Sequence, residues 1–373
     1  MARKPRKQAD VRAKYGLEQG GPPRPGRPRK NGDWNGLDFT EMLTAVCKLF
    51  CNGSTAADIK RQMKERYNVD MSREEPYQVL SWAASNRWIR FTPPHEHALR
   101  EKIRAHSGWL RDVDVVHTAV YDDVAYRGAL MLLEMVKEHH RPPLPKDEVH
   151  IGFAGGHAMR KVARCFSQLL CYPNDDMPAK LVFHAMAAGF NVFDPTTDPN
   201  AFFTYFVGDP AIAVETGLVG LHAPGVVTSR QFGRLRATAG IKESYECADE
   251  VDIVVTSGSL WEHSMLRQYF ENSEKSLRVL EEAGCLGDML WQPLGPDGPI
   301  AVKTDIRAMT LLELEDLPGL IERGKHVLLI LGPCGLCNAP KTPILEAVLR
   351  AQPHLVTHVV VDSRAAREVV PRS

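Results

Sequence analysis

Val149-His150-Ile151-Gly152-Phe153-Ala154-Gly155-Gly156-His157-Ala158-Met159 reads as a strand that stops on paired glycines and restarts as a helix. An apolar, β-branched run marks the strand, and the glycines mark the turn. The pattern recurs further along. Asp252-Ile253-Val254-Val255-Thr256-Ser257-Gly258-Ser259 is a strand ending on small hydroxyls and a glycine. Val327 to Leu331 runs into Gly332-Pro333-Cys334-Gly335 and then a helix near Lys341. Outward from these, strands are predicted at Val113–His117, Val149–Phe153, Lys180–Ala185, Leu218–His222, Asp252–Ser257, His326–Leu331 and His358–Val361. Helical segments are predicted at 123–139, 157–171, 199–207, 229–239, 261–283, 311–323 and 342–351. Strands alternating with helices give an α/β class: a Rossmann-like, mainly parallel sheet with helices on both faces. In such sheets ligands sit beyond the carboxyl ends of strands, so the loops after strands are the ones to inspect.

Gly155 and Gly156, followed by His157, would let backbone N–H groups and a helix N-terminus face an anion. No Gly-Lys-Ser/Thr follows and the dinucleotide spacing is incomplete, so neither nucleotide motif is present. A tight structural turn accounts for the glycines equally well. Ser257, Gly258 and Ser259 suit a hydroxyl-rich ligand. Gly335 and Lys341 suit a phosphate or carboxylate, the alternative being an ordinary surface lysine. Cys334 and Cys337 form a lone C-x-x-C; a structural zinc site normally adds a second ligand pair, and none is evident in the sequence. Cys47 and Cys51, one helical turn apart, are expected to pack. His139 and His140 are expected to face solvent. No metal and no cofactor is therefore expected. No Ser-His-Asp or paired-carboxylate spacing is visible, and no catalytic residue is assigned. An enzyme on this fold would draw its base from Asp194, Asp198, Glu215 or His157.

The first thirty residues hold ten Lys/Arg against Asp10 and Glu18, a net of +8 in a chain whose total charge is zero. A basic arm on an acidic body implies a polyanionic partner, because neutralised phosphates release counterions. Residues 1–36 are rich in Pro, Gly and basic residues, the composition of a disordered segment. Within it, Arg24-Pro25-Gly26-Arg27-Pro28-Arg29-Lys30 resembles an AT-hook, whose Gly-Arg-Pro core lies along an A·T-rich minor groove. Arg24, Arg27, Arg29 and Lys30 are the DNA-contacting candidates there.

Residues 37–95 read as three helices and a strand. The first runs from Asp38 to Cys51 with Leu43, Val46, Leu49 and Phe50 inward, and Asn52-Gly53 ends it. Ser54 or Thr55 caps the second, which carries Ile59 and Met63. Ser72-Arg73-Glu74-Glu75 is a capping box opening the third, and Trp88–Phe91 is the strand candidate. This is the layout of a winged helix-turn-helix whose third helix enters the major groove, with Arg73 and Gln78 as its polar contacts. A helical protein-interaction module is the alternative. Residues 96–112 read as a linker helix and 113–373 as the effector domain. No stretch approaches the ~18–20 apolar residues of a membrane span. The N-terminal decapeptide lacks the apolar run of a secretory signal. Eight cysteines in 373 residues do not make a disulfide scaffold, so a cytoplasmic protein with no membrane partner is expected.

Three strand-end loops in this order, behind a helix-turn-helix, resemble the SorC/DeoR-type sugar-binding transcriptional regulators. Asn52 to Ile59 is similar to the family's opening of its second helix, and Ile151 to Gly156 to its first phosphate-side loop. Ala248 to Ser259 is similar to the Asp-led strand and glycine loop. Gly284-Cys285-Leu286-Gly287-Asp288 resembles the Gly-Asp segment, and Val327 to Gly335 with Lys341 the last loop and its phosphate-contacting lysine. Val359 to Asp362 resembles the closing strand. The resemblance implies a ligand-responsive DNA-binding regulator, a homo-oligomer (dimer or tetramer), with a sugar or sugar phosphate as effector. It implies effector contacts from Gly155, Gly156, His157, Ser257, Gly258, Ser259, Asp288, Gly335 and Lys341. Other readings are a sugar-phosphate isomerase or deaminase, and an architectural DNA-binding protein with a degenerate effector domain. Ala158 stands where the family usually offers threonine to a phosphate, and Glu74, Glu75 and Pro76 stand on the third helix where it offers Ser, Thr, Arg or Lys.

Deleting residues 1–30 should lower affinity for duplex DNA and flatten its salt dependence, by about 0.9 in log–log slope for each phosphate the arm neutralises. Fluorescence anisotropy across a salt series measures this. An unchanged slope would show that the arm does not touch DNA.

Overall fold

The computed structural model describes residues 38–85, 89, 92–143, 145–172, 176–189, 194–207, 209–271 and 273–370. The basic arm with its AT-hook-like segment, and Trp88, Arg90 and Phe91 of the strand candidate, lie outside the described residues. The chain divides into two compact units at Phe91/Thr92.

The first unit contains α1 (Phe39–Cys51), α2 (Ala56–Tyr67) and α3 (Glu75–Ser85). Each start is fixed by a reciprocal cap: Asp38 with Glu41, Thr55 with Asp58, and Ser72 with Glu75. The apolar positions Met42, Leu43, Val46 and Leu49 of α1 meet Ile59 and Met63 of α2 and Val79 and Ala83 of α3 in one core. Phe39 packs edge-on against Trp82 at 4.9 Å. Phe50 does not join them and is 41% exposed. One residue past Leu49 is a rotation of about 100°, which carries Phe50 off the buried stripe. Cys47 is half-buried and Cys51 exposed.

In the second unit, α4 (His97–His106) precedes β1 (Asp112–Val116). The helix read as a linker packs against β1 and the last helix of the chain, within this unit. There follow α5 (Tyr121–His140), β2 (Glu148–Phe153), α6 (His157–Leu170), β3 (Lys180–Ala185), α7 (Pro199–Phe202), β4 (Glu215–Val219), β5 (Val226–Thr228), α8 (Ser229–Arg236) and α9 (Lys242–Glu246). Then come β6 (Ile253–Thr256), β7 (Gly258–Leu260), α10 (Met265–Phe270), α11 (Glu274–Glu282), β8 (Gly287–Met289), β9 (Gln292–Gly295), β10 (Gly298–Pro299) and β11 (Ile306–Ala308). The chain closes with α12 (Leu317–Glu322), β12 (His326–Leu331), α13 (Thr342–Arg350), β13 (His358–Asp362) and α14 (Ser363–Val369).

The seven strand candidates form one sheet in the order β1-β13-β12-β6-β2-β3-β4, every pair parallel. β12 and β13 are buried at every position, which requires cover on both faces. α5 and α6 pack together as one cover, and α4, α13 and α14 form another packed group. Gly128 of α5 lets the helix settle on the sheet, since a Cβ there would lie 2.4 Å from Ile330 Cδ1.

Three sequence expectations change. The fourth strand starts three residues earlier than read, at Glu215, where it pairs with Lys180. Segment 261–283 is not one helix: Ser264 caps α10 after a short 3-10 turn, and α11 starts anew at Glu274. Segment 311–323 is likewise a 3-10 turn, opened where Glu313 N–H donates to Asp316 Oδ2 at 2.8 Å, running on into α12. Two small antiparallel sheets, β10-β9-β8-β7 and β11-β5, were not expected. Their strands are two to four residues long, too short for a period-2 signal.

His326 and His358 open β12 and β13, and His184 lies near the end of β3. His139, expected in solvent, is half-buried and edge-on to His326 at 4.9 Å. Burial pushes His326 down to about 3 and His184 and His358 down to about 4. With unfolded values near 6.5, the unfolded chain binds more protons through the window from pH 6.5 to about 4. Stability is therefore full above pH 6.5 and is lost as pH falls through that window. Asp288, raised to about 6, and the raised Asp362 and Glu313 work the other way, while burial lowers His139 and His157 as well. Unfolding followed by urea titration should show stability falling by several kcal/mol between pH 7 and 5, about 1–2 kcal/mol per histidine. A flat profile would contradict the buried neutral histidines.

Candidate functional site

β12, β6 and β2 are adjacent in the sheet, so the loops that follow them emerge side by side on its carboxyl edge. The loop after β12 is bonded to the loop after β6. Lys341 is buried, 7% exposed, and its Nζ donates to the Gly258 carbonyl at 2.6 Å. It is not the surface lysine that was the alternative reading. The same ammonium lies 5.8 Å from the Tyr121 ring centroid, within cation–π range. Burial lowers its pKa, opposed by the nearby Cys334, Asp288 and Asp362.

Asp288 sits on β8, paired in register with Ser259 of β7. It is buried and accepts from Ser264 Oγ at 2.5 Å. Burial lifts its carboxyl to about 6, against the pull of that hydroxyl and of Lys341. Gly258 and Gly287 let the small sheet close against α13. A Cβ on Gly258 would meet Ile344 Cγ2 at 2.6 Å, and one on Gly287 would meet the Ser259 carbonyl at 1.9 Å.

The first loop differs most from expectation. Ala154 N–H donates to Val255 O at 2.9 Å and Gly156 N–H to Thr197 O at 2.8 Å, so one of the two glycine donors of the anticipated anion cradle is spent inside the protein. A Cβ on Gly155 would lie 2.9 Å from Trp291 Nε1 and 3.2 Å from Pro199 Cδ. An indole therefore covers the loop. Trp291 reaches it from the two-residue turn between β8 and β9, where Met289 pairs with Gln292. Both turn residues have positive φ, 51° at Leu290 and 59° at Trp291. Asn-Gly is the usual choice for such a turn, so Leu-Trp stores strain on the order of 1 kcal/mol per residue. Burial of both side chains, 2% and 7% exposed, offsets it. Trp291 also lines a cavity of about 260 Å³ that contains Arg307 and Glu313, an ion pair whose arginine stacks 3.8 Å from the Phe232 ring centroid.

Around Lys341, three buried polar atoms have no hydrogen-bond partner of good geometry: Tyr121 Oη, Ser257 Oγ and Asp362 Oδ2. Burial raises the Tyr121 phenol, and the neighbouring Ser257 hydroxyl opposes that rise, so the two hydroxyls face one space. Tyr121 and Asp362 were not among the sequence candidates. Tyr121 opens the helix after β1 and Asp362 ends β13, positions that matter only once the sheet order is known. Ser259 is half-buried and Gly335 is exposed with open space around it. His157 is exposed, its Nδ1 3.6 Å from Asp194 Oδ2. Asp194 accepts from Thr196 N at 3.2 Å. Of the other two acids proposed as bases, one stands between Thr197 and Pro199 beside the first loop and the other is remote. Asp198 caps α7, accepting from Asn200 N at 2.8 Å. Glu215 is at the amino end of β4, away from the strand-end loops.

In the first unit, Arg73 and Gln78 are exposed, along with Glu74, Tyr77 and Ser81. Glu75 is buried, 7% exposed, and turns back to accept from Ser72 N at 2.6 Å. Only one of the two acids expected to oppose phosphates thus faces outward.

Lys341→Met removes the charge that compensates Asp288. The cost should be about 1.5–3 kcal/mol at pH 8 and smaller at pH 5, where protonation of Asp288 relieves it. Denaturation of both proteins at the two pH values tests this; an equal loss at both would disconnect the two residues.

No protein-family model matches the chain, and no curated protein matches it by sequence. Solved structures do match. The full-length sorbitol operon regulator SorC from Klebsiella pneumoniae superposes with a TM-score of 0.61 at 12% identity, covering 90% of this chain and 100% of that one. A DeoR family transcriptional regulator from Listeria monocytogenes gives 0.54 at 18% identity, covering 73% and 98%. A transcriptional regulator from Streptococcus pneumoniae gives 0.56 at 14% identity, covering 73% and 95%. At these identities the likeness is one of fold.

Proposed function

We propose that this protein is a ligand-responsive DNA-binding transcriptional regulator whose effector is a sugar or sugar phosphate bound at the carboxyl edge of the large sheet. The observation that carries the ligand site is the group of unpartnered polar atoms, Tyr121 Oη, Ser257 Oγ and Asp362 Oδ2, collected about the buried Lys341 ammonium. Buried polar atoms are almost always satisfied, and hydroxyl-rich, anionic ligands offer what this group lacks. An acceptor would suit Tyr121, Ser257 and the two remaining N–H bonds of Lys341, and a hydroxyl would suit Asp362. Gly155, Gly156, His157, Gly258, Ser259, Asp288 and Gly335 frame the same edge, with Trp291 over the first loop.

The DNA-binding half rests on the basic arm and on α3, where Tyr77 and Gln78 are exposed and Arg73 is exposed just before its start. Lys60, Arg61 and Lys64 of α2 are exposed too and suit phosphate contacts. The likeness to full-length SorC, which spans 90% of this chain, supports both units serving one regulator. A homo-oligomer follows as part of the proposal, since paired modules match repeated half-sites. Among the described residues, no helix is long and apolar enough to cross a membrane.

Tyr121→Phe and Ser257→Ala separate a ligand role from a packing role. Each removes a buried hydroxyl that makes no well-formed hydrogen bond, so the ligand-free protein should change little in stability. Each should also weaken sugar-phosphate binding about fivefold, the equivalent of a ~1 kcal/mol hydrogen bond. Calorimetry with a panel of sugars and sugar phosphates, and anisotropy with selected duplexes with and without the bound compound, read both halves. If no compound in the panel binds, or if binding leaves DNA affinity unchanged, the regulator reading fails.

A further inference from the structure

Among the described residues, one metal-competent group is built of soft ligands. Cys334 Sγ, Cys337 Sγ and a ring nitrogen of His263 lie within 4.8 Å of one another. We propose that these three residues bind a divalent cation of the zinc class at the mouth of the candidate effector site, leaving a fourth coordination position open. The inference goes beyond the regulator reading and does not depend on it.

The chemistry of the donors fits. Two thiolates and an imidazole are a zinc set, and three protein ligands with an open fourth position is the arrangement of sites that bind an exogenous oxygen. Zinc bonds of about 2.0–2.3 Å bring tetrahedral ligand atoms somewhat closer than 4.8 Å, so the set lies near the spacing that an ion would impose. Both cysteines are free thiols. Cys337 is exposed and His263 half-buried, which gives the ion a route from solvent.

The backbone is already arranged for a thiolate. In the loop after β12, Cys334 N–H donates to Ala339 O at 2.8 Å and Asn338 N–H to Cys334 O at 2.9 Å. Asn338 takes the left-handed conformation, φ 57°, which folds the turn back on itself. The N–H groups of Cys337 and Leu336 and the Cys337 thiol are directed at the Cys334 sulfur. Outer partners of this kind orient a ligand and stabilise its charged form.

Position gives the site its consequence. His263 belongs to the short turn that follows β7, and the cysteines to the loop that leads into α13. The Lys341–Gly258 hydrogen bond joins those same two segments. A bound cation would fasten them at a second point, beside the pocket, and present its open position to a ligand oxygen.

The test uses the full chain, purified under reducing conditions, stripped with a chelator and titrated with Zn²⁺ and separately with Co²⁺. The expected result is one ion per chain, released protons, and a cobalt spectrum with thiolate charge-transfer and tetrahedral d–d bands. Cys337→Ser should lose the charge-transfer intensity of one thiolate. His263→Gln should weaken Zn²⁺ by more than the roughly 10–100-fold typical of outer partners. Both side chains reach solvent, so folding of the variants, checked by circular dichroism, should match the parent. His263→Gln binding Zn²⁺ as tightly as the parent would overturn the three-ligand site. Reduced parent protein taking up no Co²⁺ would overturn the proposal altogether.

Discussion

Lys341 is removed from water and bonded to a carbonyl, and much of the carboxyl edge is arranged to tolerate it. An ammonium that is 7% exposed carries a desolvation cost of several kcal/mol unless charge and hydrogen bonds compensate. Here the compensation is distributed: the Gly258 carbonyl, the Tyr121 ring, and the acidic groups of Asp288, Asp362 and Cys334. These come from five different segments, and the single hydrogen bond to Gly258 ties the loop after β12 to the loop after β6. The parallel sheet makes this convergence obligatory, because its strands end on one edge whatever their order along the chain.

The small antiparallel sheet finishes the site. Its register places Asp288 opposite Ser259, and its strained Leu290-Trp291 turn presses an indole onto Gly155. Strain of this kind persists where surrounding structure over-determines it, and it gathers at ligand sites. The glycines of the first loop thus have a different use from the one their sequence implied. Gly155 makes room for Trp291, and Gly156 opens α6 at φ 106° while its N–H goes to Thr197.

The helical unit shows the same dependence at smaller scale. Its reciprocal caps place the ends of all three helices, and one of them decides an electrostatic question. Glu75 is held by Ser72 and so is withdrawn from the outer face of α3. That leaves Arg73, Tyr77 and Gln78 with Glu74 as the sole acid beside them.

What the sequence determined by itself was everything governed by local periodicity and capping. Seven apolar runs each became a strand of one parallel sheet, and the Asp38, Thr55 and Ser72 caps stand where their side-chain chemistry puts them. The loops at Gly155, Ser257 and Gly335 were legible because turn residues after strands are a local signal. Tertiary structure alone decided which of those residues do what. The burial of Lys341, the approach of Trp291 across more than a hundred residues to Gly155, and the arrival of His263 beside Cys334 and Cys337 are contacts between distant segments. Side chains in such contacts obey no spacing rule along the chain. Strand order and the packing of the sheets bring them together, and those are set by the burial of whole faces, which no window of sequence contains.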